Sequence, residues 1–356
     1  MWENRNSPMK IAVVGAGMAG LTCARALNLA GFRISVFDKG RGPGGRMSTR
    51  RMGPWHFDHG AQYLTAREPE FQAQVRAWEA LNIVQPWTGR VVSLRNGVFQ
   101  PLESSELRYV GVPGMSAILR YLSQELEVHY DVQVATVTPH VHGWRLQDIT
   151  GADLGVFQVL ALALPAPQTV ELASGLSPIA KQAMITMAPC WSIMLGFDQT
   201  LAAPFDGAFM DDPALAWAAR NNSKPGRPPA EAWTLHGTRE WSAAHLESGG
   251  EQVAASLLAA FASAVNEKRL LPATRIYHRW RFAEAVENAG EVCLYDPERR
   301  LGACGDWCLE GRIEAAWRSG LALAQRILNK TLAPSGLHNR DQREVGHYGQ
   351  ALEEWD

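Results

Sequence analysis

The sequence has no excess of charge of either sign and no long apolar run. Its 34 lysines and arginines nearly balance its 36 acidic residues, which gives a formal net charge of -2. A near-neutral chain lacks the broad positive potential with which proteins bind nucleic acid or anionic membranes. No apolar run reaches the roughly 18 residues that span a bilayer. We therefore expect neither nucleic acid nor a membrane as a partner.

Cysteine is scarce as well, and its pattern excludes two uses. The chain has five cysteines, which are Cys23, Cys190, Cys293, Cys304 and Cys308. Their number is odd and their spacing is not that of zinc ligands, so we predict reduced thiols, no metal and a cytoplasmic protein. A redox role for Cys304 and Cys308 stays open. Tryptophan is abundant instead, with 13 residues that either fill the core or provide a flat wall for a planar ligand.

The N-terminal segment joins a buried strand to a glycine loop. Residues 9–14 are largely apolar, and Gly15, Gly17 and Gly20 follow in the spacing G-x-G-x-x-G. An amphipathic helix and a second strand come next, and that strand ends in Asp38. This order predicts a Rossmann-type dinucleotide site, with the pyrophosphate at the helix N-terminus and Asp38 at the ribose hydroxyls.

A second glycine cluster follows at residues 39–51, KGRGPGGRMSTRR. A unit that binds only a nicotinamide dinucleotide does not need it, whereas a flavin enzyme passes such a loop over the pyrophosphate and neutralises it with Arg46. The alternative is a solvated basic loop. The segment resembles the R-x-G-G-R motif of the amine-oxidase-like flavoprotein superfamily. Residues 57–65, FDHGAQYLT, are similar to the D-x-G-A pattern of that superfamily.

The C-terminal segment 300–328 contains a short strand, Asp306 and a long amphipathic helix that begins near 311–313. The resemblance implies that Asp306 meets the ribityl chain or the pyrophosphate, and that the helix N-terminus faces the flavin ring. An ordinary N-cap is the alternative for Asp306. We expect a helix at residues 115–126 and one strand over residues 128–140, whose backbone near Val134 is expected at the adenine. No cysteine lies in a segment that matches a flavin-linking motif, so we predict noncovalent FAD. The predicted cofactor contacts are Gly15, Ala16, Gly17, Met18, Ala19, Gly20, Asp38, Lys39, Gly45, Arg46, Gly60, Ala61, Gln62, Val134, Asp306, Arg312 and Ile313.

We predict an α/β fold in which a Rossmann-type FAD-binding domain carries an inserted α+β substrate domain, the architecture of amine oxidases and p-hydroxybenzoate hydroxylase. The substrate domain is expected to contain a mostly antiparallel sheet and a hairpin around Asn96–Gly97. The termini are expected to be loosely ordered. The predicted segments are 9–66, 112–167 and 289–332 for the FAD-binding domain, 67–111 and 168–288 for the substrate domain, and 1–8 and 333–356 for the termini.

Four segments narrow the resemblance to the bacterial renalases, and the similarity runs along nearly the whole chain between the termini. These segments are WAARNNSKPGR, EAWTLHGTREWSAAHLE, YHRWRFAEA and CGDWCLEGRIEAAW. Renalases oxidise isomers of NAD(P)H whose hydride sits at ring position 2 or 6, pass it to FAD and then to dioxygen, and form NAD(P)+ and hydrogen peroxide. The resemblance implies a metabolite-repair oxidase with a dihydronicotinamide dinucleotide and dioxygen as its partners.

The segment match places Asn221, His236 and Trp280 at the substrate face. A dihydronicotinamide needs a flat wall and hydrogen bonds to its carboxamide, and no proton leaves carbon, so positioning is the main task. Each residue also has a structural interpretation: a turn cap for Asn221, a satisfied strand histidine for His236 and core packing for Trp280. Arg220 or Arg279 is expected at the ribose or phosphate. After Trp280 the chain lacks the Arg-Pro pair that many bacterial renalases have, which leaves the geometry of this edge of the substrate site open.

Other functions share this fold. An amine oxidase favours an aromatic cage and a lysine that contacts the flavin N5 through water. Lys224 lies in a proline-rich loop and Lys268 at a charged helix end, which disfavours this role for both. A flavin-binding protein with a structural or sensing role is a second alternative, although a Trp-rich pocket favours turnover. Porphyrinogen or carotenoid oxidation would require a longer apolar channel and a membrane-facing patch, for which the sequence gives no sign.

Overall fold

The computed structural model of the protein describes residues 8–95, 97–102 and 106–331. The expectation of loosely ordered termini concerns residues that lie almost entirely outside this range, and so does Asn96 of the predicted hairpin. None of the helices in the described part combines the length and hydropathy that crossing a membrane requires.

The described residues form an alternation of strands and helices. The helices are α1 (Met18–Leu29), α2 (Pro69–Ala80), α3 (Ser116–Leu122), α4 (Ala166–Ala173), α5 (Ile179–Gln182), α6 (Arg239–Ala244), α7 (Gly250–Ala264) and α8 (Ile313–Thr331). The strands are β1 (Lys10–Val14), β2 (Arg33–Phe37), β3 (Thr49–Met52), β4 (Trp55–Asp58), β5 (Val84–Pro86), β6 (Val91–Arg95), β7 (Val98–Pro101), β8 (Tyr109–Gly111), β9 (Glu127–His129), β10 (Val134–His140), β11 (Gly143–Asp148), β12 (Asp153–Phe157), β13 (Val159–Leu162), β14 (Met187–Phe197), β15 (Gly207–Phe209), β16 (Leu215–Arg220), β17 (Glu231–Gly237), β18 (Thr274–Ala285), β19 (Leu294–Asp296) and β20 (Leu301–Ala303).

The first large sheet has the order β19-β20-β13-β1-β2-β9, and its strands are parallel except for β19. Residues 11–14 of β1 and all of β13 are buried. This burial on both faces explains why these strands are continuous apolar runs, as parallel sheets require. The predicted α/β fold with a Rossmann-type unit is confirmed.

Close packing of α8 against α1 sets the cofactor end of this sheet. A Cβ on Gly320 of α8 would lie 2.2 Å from the carbonyl oxygen of Ala19, so only glycine permits this approach. A Cβ on Gly20 would lie 1.9 Å from the carbonyl oxygen of Gly15, so α1 packs tightly on its own loop. The beginnings of both helices, at Met18 and Ile313, consequently line one cavity.

The second large sheet has the order β18-β14-β17-β16-β15-β6-β7, and all pairs except β15 with β6 are antiparallel. Helix α7 packs on it through buried residues such as Leu257 and Phe261, which share a core with Trp233. The expected mostly antiparallel sheet is present, and β6 and β7 form the expected hairpin. Its strands come from segments 67–111 and 168–288, whereas the boundaries of the two domains stay a prediction.

Two elements differ from the sequence-based expectation. Residues 128–140 were expected to be one strand, but β9 and β10 belong to different sheets. Asp131 adopts a positive φ of 56°, and its N–H donates to Gly40, which turns the chain between them. The helix expected at 115–126 ends at Leu122, and Glu125 has a positive φ of 63°, a conformation that helices exclude.

Candidate active site

A cavity of about 1460 Å³ lies where the two large sheets meet. It is larger than the roughly 300–1,000 Å³ of most small-molecule sites, so it has room for a dinucleotide together with a second ligand. Fifteen of the predicted cofactor contacts line it: Gly15, Gly17, Met18, Ala19, Asp38, Lys39, Gly45, Arg46, Gly60, Ala61, Gln62, Val134, Asp306, Arg312 and Ile313. The two others, Ala16 and Gly20, lie behind this surface.

Asp38 connects the two glycine clusters. Its Oδ2 accepts the N–H of Ala16 at 2.6 Å, and its Oδ1 accepts the N–H of Gly40 at 2.7 Å. Because each carboxylate oxygen accepts more than one hydrogen bond, Asp38 can still accept from a ribose hydroxyl at the cavity surface. The second glycine cluster is thus held against the first by the acid that ends β2.

Arg46 and Asp306 form a bidentate ion pair, with Nη1–Oδ2 at 2.7 Å and Nη2–Oδ1 at 2.5 Å. The Arg46 Nη1 also donates to the carbonyl oxygen of Ala283 at 3.0 Å. The sequence predicted separate contacts of both residues with the dinucleotide and missed their pairing. A pyrophosphate here would meet a guanidinium whose charge Asp306 already balances.

Asp58 anchors the loop at residues 58–62. Its fully buried carboxylate accepts from Arg227 Nη2 at 2.6 Å, from Thr49 Oγ1 at 2.7 Å and from the N–H of Met115 at 3.0 Å, and it pairs with Lys224 Nζ at 3.3 Å. Burial opposes its ionisation, but the charges of Arg227 and Lys224 prevail and hold the pKa of Asp58 well below its usual range.

The carbonyl oxygen of His59, in this loop, positions two predicted substrate residues. It accepts from Trp280 Nε1 at 2.9 Å and from His236 Nε2 at 3.3 Å, so His236 carries its proton on Nε2. The His59 ring stacks on Trp280 at 5.2 Å, and the His278 ring meets Trp280 edge-on at 4.1 Å. Trp280, His236 and His278 line the cavity, as a wall of fixed aromatic rings.

The two histidines of this wall, His236 and His278, and the adjoining His59 are neutral. Burial lowers the pKa of His59 to about 3, and the nearby His278 adds to the shift. Burial likewise lowers the pKa of His236 to about 4, against the effect of its bond to His59. Burial and the charge of Arg50 lower the pKa of His278 to about 4. The wall therefore offers neither a cation nor a strong base at neutral pH.

Asn221 is the predicted substrate residue that the structure places elsewhere. It is fully buried and does not line the cavity. Its Oδ1 accepts the N–H of Asp58 at 2.9 Å, and its Nδ2 donates to Thr234 Oγ1 at 2.9 Å. These bonds occupy the amide, so Asn221 holds the 58–62 loop against β17 and does not offer the predicted contact with substrate.

The two arginines expected at a ribose or phosphate have different positions. Arg220 does not line the cavity, because its guanidinium pairs with Glu231 at 3.2 Å and Asp206 at 3.5 Å. Arg279 does line it, and its Nη1 donates to Leu246 and to Glu247.

Sequence reasoning missed one residue behind the cavity lining, Lys224, and one at the wall, His278. Lys224 was assigned to an exposed proline-rich loop, yet its side chain is fully buried beside Gln62, with Nζ–Oε1 at 3.1 Å. No local pattern marks it, because its partner Asp58 is distant in the sequence. His278 had a signal, since it lies two residues before Trp280 on the same face of β18.

Comparisons with known sequences match only part of this chain. A family model described as an NAD(P)-binding Rossmann-like domain matches residues 13–78. The chain is 51% identical over 45 residues to lysine-specific histone demethylase 1 homolog 1 of Arabidopsis thaliana, and 36% identical over 62 residues to an L-amino-acid oxidase of Crotalus adamanteus. These matches cover 13% and 17% of this chain, and only 5% and 12% of the two relatives.

Solved structures extend the likeness to most of the chain. A putative protoporphyrinogen oxidase from Exiguobacterium sp. 255-15 superposes with a TM-score of 0.72 at 13% identity, covering 90% of this chain and 99% of that one. A putrescine oxidase triple mutant, redesigned in cofactor binding, gives 0.70 at 14% identity, covering 91% and 100%. At such identity the likeness shows the fold alone.

The geometry of the cavity fits a dinucleotide. An added Cβ on Gly17 would have no heavy atom within 4 Å, and Gly17 caps α1 without a side-chain hydrogen bond. A helix N-terminus thus faces open space in the cavity, as phosphate binding requires. Together with the Rossmann-like match, this supports a dinucleotide-binding unit and indicates FAD as the cofactor.

The neutral histidines predict a pH-dependent stability. Their folded pKa values lie below the ordinary value of about 6.5, so the unfolded chain binds protons first as the pH falls. Their contribution is fully present above about pH 6.5 and is lost progressively towards about pH 4. We expect the urea midpoint of unfolding to fall across this range, and His236→Gln to flatten the decline. The exposed His142→Gln serves as the control, and a midpoint that does not change over this range would contradict the assignment.

Proposed function

We propose that the protein is an FAD-dependent oxidase of dihydronicotinamide dinucleotides whose hydride sits at ring position 2 or 6, a renalase-type repair activity in the cytoplasm. The observation that carries the proposal is the wall of Trp280 with neutral His236 and His278, in a cavity that extends beyond the predicted cofactor contacts. The product would be NAD(P)+, with dioxygen reduced to hydrogen peroxide.

The side chains of the wall suit a reaction that needs positioning but no base. FAD, when bound, supplies the hydride acceptor and the reaction with dioxygen. Trp280 offers a flat face, and its plane is fixed by the bond to His59 and by the flanking rings. His236 commits Nε2 to His59, so its other ring nitrogen is an acceptor for an N–H group such as that of a carboxamide.

Arginines at the edge of the wall support a dinucleotide substrate. Arg239, Arg279 and Arg281 line the cavity next to Trp280. Arg279 and Arg281 share the single carboxylate of Glu247, at 2.9 Å and 2.6 Å. Two guanidinium groups on one carboxylate leave positive charge for a pyrophosphate, which arginine recognises well.

Oxidation of a small amine is the second candidate, and one observation favours it. Amine oxidation was disfavoured because Lys224 was assigned to a surface loop, but Lys224 is buried next to Gln62 of the cavity lining. The chain also shares its fold with a putrescine oxidase and matches part of an L-amino-acid oxidase. Lys224 itself does not line the cavity, so we place this candidate second.

The cofactor assignment predicts noncovalent FAD whose retention depends on Asp38. Acid precipitation should release yellow FAD into the supernatant, and colour in the pellet would contradict noncovalent binding.

Asp38→Ala removes the acceptor for the ribose and loosens the second glycine cluster. We expect about 10–100-fold weaker binding, which corresponds to about 1.5–3 kcal/mol for a charge-assisted hydrogen bond. Retention equal to wild type after dilution would show that Asp38 is not at the ribose.

The substrate assignment predicts which donors bleach the flavin under anaerobic conditions. We expect rapid bleaching in a stopped-flow instrument with the 2- or 6-dihydro isomer, and slow bleaching with 4-dihydro-NADH or putrescine. A fixed carboxamide brings only some ring carbons within about 3–3.5 Å of the hydride acceptor, which explains the difference. Trp280→Ala should slow reduction by removing the wall, and His236→Ala should slow it by misplacing the ring.

The same experiment decides between the two candidates. The exposed His142→Ala serves as the control for His236→Ala, because it also removes an imidazole but lies outside the cavity lining. If putrescine or an L-amino acid reduces the flavin faster than either isomer, amine oxidation replaces the first proposal. If no donor reduces it, the protein binds FAD without turnover of this kind.

A further inference from the structure

Lys224 is a buried cation that the proposed reaction does not use. Its ammonium contacts Gln62 Oε1 at 3.1 Å, Asp58 Oδ2 at 3.3 Å and Asn221 Oδ1 at 3.4 Å, and it lies 5.5 Å from the centre of the Trp87 ring. Taking an ammonium group out of water is costly, and buried lysines commonly respond by losing the proton. A lysine kept here needs a reason other than stability.

The charges around Lys224 do not balance. Asp58 is the carboxylate that pairs with it among the described residues, and Asp58 also pairs with Arg227 at 2.6 Å. One carboxylate thus serves two cations, which leaves a positive charge inside the protein. Asp58 comes from β4, Arg227 from the same loop as Lys224, and His236 faces them from β17.

This charge lies one side chain behind the cavity surface. Gln62 lines the cavity and accepts from Lys224, while its Nε2 donates to the carbonyl oxygens of Asp58 and Gly60. The charge also reaches His236, because Lys224 adds to the effect of burial that lowers the pKa of His236 to about 4. Gln62 and His236 are therefore the surface through which a ligand would meet this charge.

We propose that Lys224 is a positioning residue that gives the cavity surface at Gln62, His236 and Trp280 a positive potential, so that the cavity accepts a neutral ring and rejects a cationic one. This rests on the proposed function and deepens it, because it names the charge class of the substrate. Oxidation turns a neutral dihydronicotinamide into a cationic pyridinium, so the same potential favours release of the product. A protonated amine would be rejected at binding.

The test compares two ligands of the same shape in the FAD-loaded protein. The probes are 1-methylnicotinamide, a permanent cation, and 3-methylbenzamide, its neutral isostere, and binding is followed through the flavin absorbance. We use the ratio of the dissociation constant of the cation to that of the neutral ligand, which should be high in the wild type. This ratio should fall about 10-fold in Lys224→Met, as expected for one unit charge acting over about 10 Å at an effective dielectric of about 20. Lys224→Arg should keep the ratio of the wild type, and the exposed Lys268→Met should not change it.

A pH series tests the proposal without a substitution. Burial lowers the pKa of Lys224 to about 8, with Asp58 opposing the shift and Arg227 adding to it. The lysine is therefore charged below about pH 8, so the wild-type ratio should be high there and should decline above it. Neither probe titrates in this range, and His236 is already neutral. If Lys224→Met does not fold, this series decides.

Each outcome supports or overturns the proposal. An equal ratio in Lys224→Met and wild type, or a wild-type ratio that does not change with pH, overturns it. Because the assay measures binding without turnover, it is independent of the renalase-type activity. A charge-dependent ratio in a protein that no dihydronicotinamide reduces would remove the proposed function and leave the role of Lys224 intact.

Discussion

The buried ion pairs of Asp58 with Lys224 and Arg227 fix the loop on which the rest of the cavity depends. Asp58 ends β4, and its carboxylate receives two cations, a hydroxyl and a backbone N–H. The next carbonyl oxygens of the loop then hold side chains from the second sheet: Asp58 O accepts from Thr234, and His59 O accepts from His236 and Trp280. The loop thereby ties the side of the cavity next to the first large sheet to the side formed by the second large sheet.

Burying these three charged groups costs free energy, and a gain in stability does not explain why the protein contains them. Buried ion pairs are often no more stable than well-packed apolar groups, whereas removing one partner is strongly destabilising. The protein nevertheless places three charged groups behind the 58–62 loop and leaves one positive charge in excess. The neutral histidines at the surface follow from the same surroundings, since burial and nearby cations both disfavour the imidazolium form.

Most of the residues predicted at the site from the sequence do line one cavity, and their contacts with cofactor and substrate stay predictions. Gly15, Gly17 and Asp38 were predictable because a phosphate loop requires glycines at set spacings within one continuous segment. Trp280 and His236 followed from the family resemblance and do line the cavity. Asn221 does not line the cavity, because its amide is hydrogen-bonded to Asp58 and Thr234, and sequence similarity does not show which way an amide points.

Lys224 is a clearer case of a residue whose surroundings the sequence does not reveal. Its proline-rich neighbours are typical of an exposed loop, and its burial arises only when the chain brings Asp58 and Gln62 against it. The pairing of Arg46 with Asp306 is similar, since the two residues belong to the first and last segments of the fold. Long-range charge pairing of this kind leaves no periodic pattern in the sequence, and the three-dimensional structure is needed to find it.

The dissociation constant of FAD in Asp58→Asn tests most directly whether this loop organises the cavity. Asp58 does not line the cavity, so an effect on FAD must act through the loop. The substitution unpairs two buried cations, and we expect binding at least about 10-fold weaker than in wild type. Asp206→Asn, which disturbs the partly exposed pair with Arg220, should bind FAD normally. Affinity in Asp58→Asn equal to that of wild type would contradict the account.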